Sequence, residues 1–443
     1  MHRIPPASGI LAPALAVTAI FLLAAISLSN ILPLWLDEIT QLIETRNTTP
    51  AQLIAHLPGQ PGAAPLGYLV QQTLLRVTGY SVRWARFPSA LFMAATVLLV
   101  AILGAQWGLA RPWLGSTVFA LFPLTLRYAC ESRVYSQALF FSALATVLFA
   151  RLARNLTALR TAAYGAALAA AVYSQSFAIF VGFAHVAWAF FRGDRKTTAC
   201  SAAAVTLAIG AFSPWYFYAR TYWSSNIVSA GYHFAFSAKT PLMFLREFSG
   251  AGYWGSGLLL ILCALAIVGR GKDAPAVHFL VLLALLPIVL ALAADGLFGY
   301  FLATRQIIWV LPAVAVLSAL GIERAPRISI PAAVLLAAVC IWQSARYFTT
   351  PKENWQLAAD LMLGEVKQGA CLIVVPPEQV YLYEFFQPEL ARSHCPAQRT
   401  VVASIPYATN AERDATASAL ATRGYTRQYA TEAGKTVIWL YAR

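Results

Sequence analysis

Charged side chains are scarce in this sequence. Only 11% of its 443 residues are Asp, Glu, Lys or Arg, while 59% are hydrophobic. An ordinary soluble domain contains about 25% charged residues, and one charge at the centre of a membrane-spanning helix costs about 2.5–3.5 kcal/mol on insertion scales. The composition therefore excludes an ordinary soluble domain and predicts a membrane protein that keeps its charges in loops.

Acidic residues are rarer than basic ones. The chain has 18 Asp and Glu against 32 Lys and Arg, which gives a formal net charge of +14. In a soluble protein this excess would raise the question of nucleic acid, but no basic-aromatic nucleic-acid motif occurs. Much of the excess lies in short loops between apolar runs, as the positive-inside rule expects. We therefore predict membrane lipids, and no nucleic acid, as partners.

The sequence also lacks a cysteine framework and a metal-ligand spacing. Four of its six cysteines lie in or beside apolar runs, where a small buried side chain is the ordinary role. Cys371 and Cys395 lie in the polar C-terminal segment, and a disulfide between them is a candidate if that segment is extracytoplasmic. His185 and His233 have no ligand spacing, so we expect both to be structural.

About eleven apolar runs are long enough to cross roughly 30 Å of hydrocarbon. A cleaved signal peptide is the alternative for the first run, but that run exceeds a usual signal core and further runs follow. The sequence thus predicts a polytopic α-helical membrane protein with about 11 transmembrane helices. The runs are at about Ile10–Leu32, Trp84–Trp107, Pro112–Ala129, Val134–Ala150, Thr161–Ser174, Phe177–Phe191, Thr198–Tyr218, Tyr253–Val268, Ala276–Ala294, Tyr300–Leu320 and Ile328–Ala345.

Basic loops set the predicted orientation. The loops after every second run fall on one side of the membrane and all carry basic residues, so the positive-inside rule makes this side cytoplasmic. These residues are Arg111, Arg151, Arg154, Arg160, Arg192, Arg195, Lys196, Arg270, Lys272, Arg324 and Arg327. The N-terminus is then cytoplasmic, and loops 35–83 and 220–252 lie outside. Within the first of these loops, prolines and amphipathic stretches predict interfacial helices at Ala51–His56 and Pro65–Val77.

The C-terminal segment has a different character. Residues 1–346 form the predicted transmembrane domain, and residues 347–443 are more polar. Periodicity in the second segment predicts a small extracytoplasmic α/β domain. Its predicted elements are strands at Cys371–Val375 and Thr436–Tyr441 and helices around Trp355–Val366 and Ala411–Arg423.

An acidic pair, Asp37-Glu38, follows the first apolar run. Carboxylates where a helix leaves the membrane are costly to hold near apolar surface, so an acid there is a functional candidate. The alternative is that the pair ends the helix in solvent or caps the next short helix.

Basic residues at the predicted outer face form the second set of candidates. Arg127, Glu131 and Arg133 are crowded into one outer turn, and Arg305 lies just inside the outer end of a late run. A guanidinium matches phosphate oxygens, and an adjacent acid can orient it. The alternative is that these side chains simply reach towards water at the membrane surface. The loop 220–252 adds further basic and aromatic residues, which commonly form an interface belt.

Five stretches stand out along the chain: Asp37-Glu38, Ala64-Pro65-Leu66-Gly67-Tyr68-Leu69, Glu131-Ser132-Arg133-Val134-Tyr135, Arg305 with Pro312, and Pro351-Lys352-Glu353-Asn354-Trp355. Together they resemble the C-type glycosyltransferases, in the branch of protein O-mannosyltransferases and lipid A aminoarabinose transferases. No single stretch is specific, and the resemblance depends on their order and spacing through the membrane part.

The resemblance implies transfer of a sugar from a polyprenyl phosphate, with inversion, to an acceptor on the extracytoplasmic face. Asp37 matches the acid that activates the acceptor or organises the site. We therefore assign Asp37 as general base and Glu38 or Glu131 as a second acid. The candidate phosphate ligands are Arg133, Arg305, Lys239 and Arg220, and the candidate substrate-binding residues are Tyr68 and Tyr135.

The sequence departs from its relatives at Ala64-Pro65, where they often carry two prolines, and the chain is short for the family. The acceptor (a protein hydroxyl, a lipid A phosphate or a glycan) therefore stays open. So do the sugar and the use of a divalent cation, for which the ligand set is not diagnostic. A transporter or flippase of lipid-linked sugar is one alternative function, although its site would be expected near the membrane midplane. A non-catalytic subunit of envelope-polysaccharide assembly is another.

Overall fold

A computed structural model describes residues 7–46, 48–60, 62–229, 240–269, 274–298, 303–350, 353–392 and 398–443. The chain contacts divide into two compact units. The membrane unit comprises Met1–Ser29 and Thr48–Arg346, and the C-terminal unit comprises Asn30–Asn47 and Tyr347–Arg443. The loop predicted at 35–83 is thus shared between the two units.

The first sixteen α-helices contain all or part of each predicted transmembrane run, and fifteen of them lie wholly or mainly in the membrane unit. They are α1 Ala7–Leu28, α2 Leu36–Arg46, α3 Pro50–His56, α4 Pro65–Thr78, α5 Val82–Gln106, α6 Pro112–Leu121, α7 Pro123–Ala129, α8 Tyr135–Arg154, α9 Ala158–Ser174, α10 Ile179–Phe191, α11 Arg195–Ser229, α12 Thr240–Glu247, α13 Gly252–Val268, α14 Ala274–Phe298, α15 Leu311–Arg324 and α16 Pro326–Thr349.

Several helices of the described residues are long and apolar enough to cross a membrane. Six meet this criterion, and four further apolar helices are shorter. The chain is therefore a multi-pass membrane protein, whereas the count of 11 transmembrane helices stays a prediction. The six are at Val82–Gln106, Tyr135–Arg154, Arg195–Arg220, Ala274–Leu297, Thr304–Arg324 and Pro326–Thr349.

Two of the predicted runs are broken in the structure. The run predicted at Pro112–Ala129 is two helices, because Phe122 is extended (φ −60°, ψ 126°) before Pro123. A residue before proline avoids helical geometry for steric reasons. The run predicted at Tyr300–Leu320 has a 3-10 helix over Thr304–Val310, with a non-helical residue at Ile307, ahead of α15.

The C-terminal unit contains a four-stranded sheet, formed by β1 Cys371–Val375, β2 Arg399–Ser404, β3 Thr426–Ala433 and β4 Thr436–Ala442. The strand order is β1-β2-β4-β3, in which β1 and β2 are parallel and the other pairs antiparallel. Cys371 pairs with Thr400, which pairs in turn with Tyr441. The helices after residue 350 include α17 Trp355–Lys367, α18 Tyr381–Glu384 and α19 Asn410–Thr422.

The predicted elements of this unit are confirmed to within about a residue at each end, and two strands were missed. β3 is exposed along most of its length, so it has no alternation of polar and apolar residues to predict it. β2 is buried at five of its six positions, which likewise removes the alternation.

Helices α13 and α15 pack closely at Gly321. A Cβ atom there would lie 2.0 Å from the carbonyl oxygen of Leu262, which is backbone and has little room to move. We expect Gly321→Ala to lower the free energy of unfolding by about 1–3 kcal/mol, as overpacking does. Gly210→Ala is the control, because no atom lies within 4 Å of the corresponding position in α11. Thermal unfolding in detergent measures both variants, and equal stabilities would contradict the close packing.

Candidate active site

The acidic pair lies in the first turn of α2, in the C-terminal unit. Glu38 is fully buried, and its carboxylate lies 3.4 Å from the backbone N–H of Trp35, back at the helix start. Asp37 is half-buried. Successive side chains on a helix point about 100° apart, so the two carboxylates have different surroundings. Glu38 has the position of a helix-capping acid, while Asp37 retains access to solvent.

A third carboxylate anchors the start of α2. Oε2 of Glu353 accepts hydrogen bonds from the backbone N–H of Leu36 (2.8 Å) and from Nε1 of Trp355 (2.7 Å). Oε1 accepts one from the hydroxyl of Tyr407. Glu353 is only 4% exposed. The Glu-Asn-Trp end of the stretch that resembles the family therefore ties α2 to the sheet domain within this unit.

In the membrane unit, a tight turn connects α7 to α8. Arg127 Nε donates to Oε1 of Glu131 across 2.7 Å, and Glu131 is 1% exposed. Gln71 of α4 donates to the hydroxyl of Ser132 (2.7 Å). The hydroxyl of Ser89, in α5, donates to the carbonyl of Arg133 (3.0 Å). Side chains of two other helices therefore fix the turn that carries Glu131 and Arg133.

Aromatic rings and cations surround this turn. The Tyr128 and Tyr135 rings are 5.1 Å apart, and Arg133 Cζ lies 5.6 Å from the centre of the Tyr135 ring. Arg305 is near enough to act electrostatically on the buried Tyr128 hydroxyl, and its 3-10 segment packs on α8. We call this group the Tyr128 cluster; its members are Arg127, Tyr128, Glu131, Arg133, Tyr135 and Arg305.

The Tyr128 cluster unites four of the predicted site residues: Glu131, Arg133, Tyr135 and Arg305. Its three guanidinium groups and one buried carboxylate leave an excess of positive charge. Such a group can bind an anion, and planar guanidinium groups match phosphate oxygens in particular.

Residues 247–250 contact the 3-10 helix Thr304–Val310, which contains Arg305. The Thr304 hydroxyl donates to Oε2 of Glu247 (3.1 Å), and the Leu124 N–H donates to the carbonyl of Ser249 (3.1 Å). A Cβ on Gly250, which has a φ of +80°, would lie 2.9 Å from the Leu124 nitrogen. One short segment thus contacts both the start of the 3-10 helix and α7.

The other predicted membrane-unit residues have different surroundings. Tyr68 is 5% exposed and packs in a hydrophobic cluster with Leu53 and Trp215. Arg220 is exposed, and its Cζ lies 4.9 Å from the centre of the Phe217 ring. Neither Tyr68 nor Arg220 belongs to the Tyr128 cluster. Lys239 lies outside the described residues.

The remaining predictions concern cysteine and metal. Cys371 is disulfide-bonded, and Cys395 lies outside the described residues, so their pairing stays a prediction. Where the structure describes the chain, no group of three or more His, Cys, Asp or Glu side chains could hold a metal ion.

Several residues that position these groups were not predicted from the sequence. Arg86 is 1% exposed in α5 and donates to the carbonyl of Ser29 at the end of α1. Gln71, Glu247 and Glu353 were also missed as positioning residues. An arginine at the start of an apolar run is a signal that could have identified Arg86; the other three depend on contacts between distant parts of the chain.

No protein-family model and no curated protein matches the sequence significantly. Solved structures do match. ArnT from Cupriavidus metallidurans in the apo state has a TM-score of 0.61 at 12% identity, over 96% of this chain and 97% of that one. The same protein bound to undecaprenyl phosphate has a TM-score of 0.57 at 12% identity, over 98% of both chains.

An oligosaccharyltransferase from Archaeoglobus fulgidus, in the apo form, has a TM-score of 0.53 at 14% identity. The match covers 84% of this chain but 63% of that longer one. Both neighbours are C-type glycosyltransferases. At these identities the likeness concerns the fold, so the chain has a C-type glycosyltransferase fold. The resemblance found from the sequence is confirmed at this level.

The ion pair between the half-buried Arg127 and the buried Glu131 yields a stability prediction. Removing one partner of such a pair leaves the other charge uncompensated. We expect Glu131→Gln to lower the free energy of unfolding by about 2 kcal/mol or more. Glu389→Gln is the control, because its pair with Lys367 is 3.5 Å long and largely exposed, and should change stability by less than about 0.5 kcal/mol. Thermal unfolding compares the two, and a smaller loss for Glu131→Gln would contradict the assignment.

Proposed function

We propose that the chain is a glycosyltransferase that takes a sugar, hexose or pentose, from a polyprenyl-phosphate donor. It transfers the sugar with inversion to an acceptor on the extracytoplasmic face of a bacterial inner membrane. The observation that carries the proposal is the Tyr128 cluster, a positively charged group built into a C-type glycosyltransferase fold. Support comes from a neighbour of that fold, ArnT, which was crystallised with undecaprenyl phosphate.

The reaction requires little covalent chemistry from the protein. The acceptor oxygen forms a bond to the anomeric carbon while the bond from that carbon to the phosphate oxygen breaks. The electron pair leaves with the lipid phosphate, and the acceptor proton passes to a base. Phosphate is a good leaving group, so the protein needs a base and cations that stabilise the developing charge.

In this mechanism Asp37 is the general base. It is the half-buried member of the acidic pair, whereas Glu38 caps the helix and supports it. Arg133 and Arg305 bind the lipid phosphate, and Glu131 orients Arg127 beside them. Tyr135, a member of the same cluster, contacts the donor. Lys239 and Arg220 are further phosphate ligands, Tyr68 is a further substrate-binding residue, and a divalent cation is a further candidate partner.

The orientation that this function needs is the one predicted from the basic loops. The N-terminus is cytoplasmic, and the C-terminal domain is extracytoplasmic. Lipid, glycan and protein acceptors all supply an oxygen nucleophile that suits the mechanism. Flipping of a lipid-linked sugar, or a non-catalytic role in polysaccharide assembly, would need no base at Asp37.

The base assignment gives the first functional prediction. Asp37→Asn keeps the side chain's size but cannot accept the acceptor proton, so we expect transfer to fall at least about 10²-fold. Stability and binding of the lipid donor should be unchanged. Asp414→Asn, at an exposed position of the same unit, is the matched control and should transfer normally. Transfer from a polyprenyl-phosphate sugar in vesicles measures both, and normal turnover by Asp37→Asn would refute the assignment.

The proposed phosphate ligands give the second functional prediction. We expect Arg133→Ala and Arg305→Ala each to raise the donor KM about tenfold or more, since a charge-assisted hydrogen bond contributes roughly 1.5–3 kcal/mol. Arg151→Ala, an exposed arginine in the last turn of α8, is the control and should keep the wild-type KM. Donor titrations at saturating acceptor measure these values. An unchanged donor KM in both variants would count against phosphate binding by the Tyr128 cluster.

A further inference from the structure

We propose that Glu353 is a positioning residue that fixes the start of α2 and thereby the location of Asp37. The inference deepens the proposed function and rests on it, because it takes Asp37 as the base. Its physical basis lies entirely within the C-terminal unit.

The Glu353 carboxylate is a buried acceptor for three donors. Leu36 N–H and Trp355 Nε1 both donate to Oε2, at 2.8 and 2.7 Å, and the Tyr407 hydroxyl donates to Oε1. Hydrogen bonds to an ionised group are about twice as strong as neutral ones. The contact between Leu36 and Glu353 joins residues 317 positions apart in the sequence, so it fixes α2 in the tertiary structure.

The position of Leu36 makes this contact relevant to catalysis. The first N–H groups of a helix have no acceptor within the helix and need one elsewhere. Leu36 directly precedes Asp37, so the hydrogen bond holds the same backbone that carries the base. A displacement of about 1 Å can reduce a rate by about 10²-fold.

Glu353 is itself held rigidly. It forms a β-bridge with Gly434, and a Cβ on Gly434 would lie 2.9 Å from the Asn354 nitrogen, so the two backbones approach closely. Asn354 caps α17, accepting a hydrogen bond from Leu357 N–H at 3.1 Å, and Trp355 is fully buried. An acceptor held by packing and by its neighbours in this way can locate a helix end accurately.

Two substitutions separate positioning from a role of the negative charge. In Glu353→Gln, the amide oxygen can accept from both Leu36 and Trp355, while the amide nitrogen donates to the Tyr407 hydroxyl oxygen. The geometry is therefore kept without the charge. Glu353→Ala removes both the hydrogen-bonding group and the charge.

Glu365→Ala is the matched control. Glu365 is another carboxylate of this unit and accepts hydrogen bonds from Arg399 (2.8 Å) and from the Tyr429 hydroxyl. It lies on α17 and has no contact with α2 among those described for it. Tyr407→Phe, which removes a single donor at a half-exposed side chain, is a milder variant that keeps the test valid should Glu353→Ala fail to fold.

The experiment measures kcat and KM in the vesicle transfer assay together with hydrogen–deuterium exchange of peptides covering residues 34–42. We expect Glu353→Ala to lower kcat about 10–100-fold with the donor KM nearly unchanged, and to increase exchange at the start of α2 at least about tenfold. Glu353→Gln should restore kcat to within a few-fold of wild type, Tyr407→Phe should be intermediate, and Glu365→Ala should match wild type in both measurements.

Each contrary result has a distinct meaning. Unchanged exchange in Glu353→Ala, or in Tyr407→Phe if only that variant folds, would overturn the anchoring of α2. Faster exchange at the start of α2 together with a wild-type kcat would overturn the claim that this anchoring matters for Asp37. A loss in Glu353→Gln as large as in Glu353→Ala would assign the effect to charge instead of position. If the wild-type protein transfers no sugar, the proposed function fails, and the exchange data alone decide whether Glu353 anchors α2.

Discussion

A buried charge in an apolar protein is stable only when a partner of matching geometry satisfies it. With 11% charged residues the chain has few such groups, and the buried ones are tied to partners. Glu131 is paired with Arg127, Arg86 donates to the Ser29 carbonyl, and Glu353 accepts from three donors. These contacts join helix ends and turns, so satisfying the charges also fixes the segments around the candidate site.

The breaks in the transmembrane pattern have a related consequence. Pro123 separates α6 from α7, and the 3-10 segment precedes α15. A continuous helix would carry Arg127 and Arg305 on a regular surface. Arg127 instead lies in the last turn of the short α7, and Arg305 lies in the 3-10 segment, near enough to act electrostatically on the Tyr128 hydroxyl. Groups held by such fixed segments need little rearrangement when charge develops on a leaving phosphate, which is the condition for electrostatic catalysis.

Local patterns predicted much of the fold. The apolar runs, the helices α3 and α4, and the strand Cys371–Val375 all followed from composition and periodicity. The count of 11 spans could not be settled in this way, because a run such as Pro112–Ala129 has the length of a span and yet contains a break. The exposed strand β3 gave no periodic signal.

The candidate site was predictable in its parts but not in its connections. Two adjacent acidic residues after an apolar run identified Asp37-Glu38. Closely spaced charged residues between two apolar runs identified Glu131 and Arg133. The residues Asn30–Asn47 belong to the C-terminal unit, and the hydrogen bond from Leu36 to Glu353 joins residues 317 positions apart, which no local pattern contains. The hydrogen bond from Thr304 to Glu247 likewise joins residues that are distant in the sequence.

The central claim is a transfer reaction with a lipid phosphate as leaving group. Its most direct test is product analysis after incubation of the purified protein with a polyprenyl-phosphate sugar of known anomeric configuration and candidate acceptors. We expect one polyprenyl phosphate to be released for each sugar transferred, and NMR to show an inverted anomeric centre in the product. Donor that stays intact with every acceptor class while crossing to the other membrane face would contradict it.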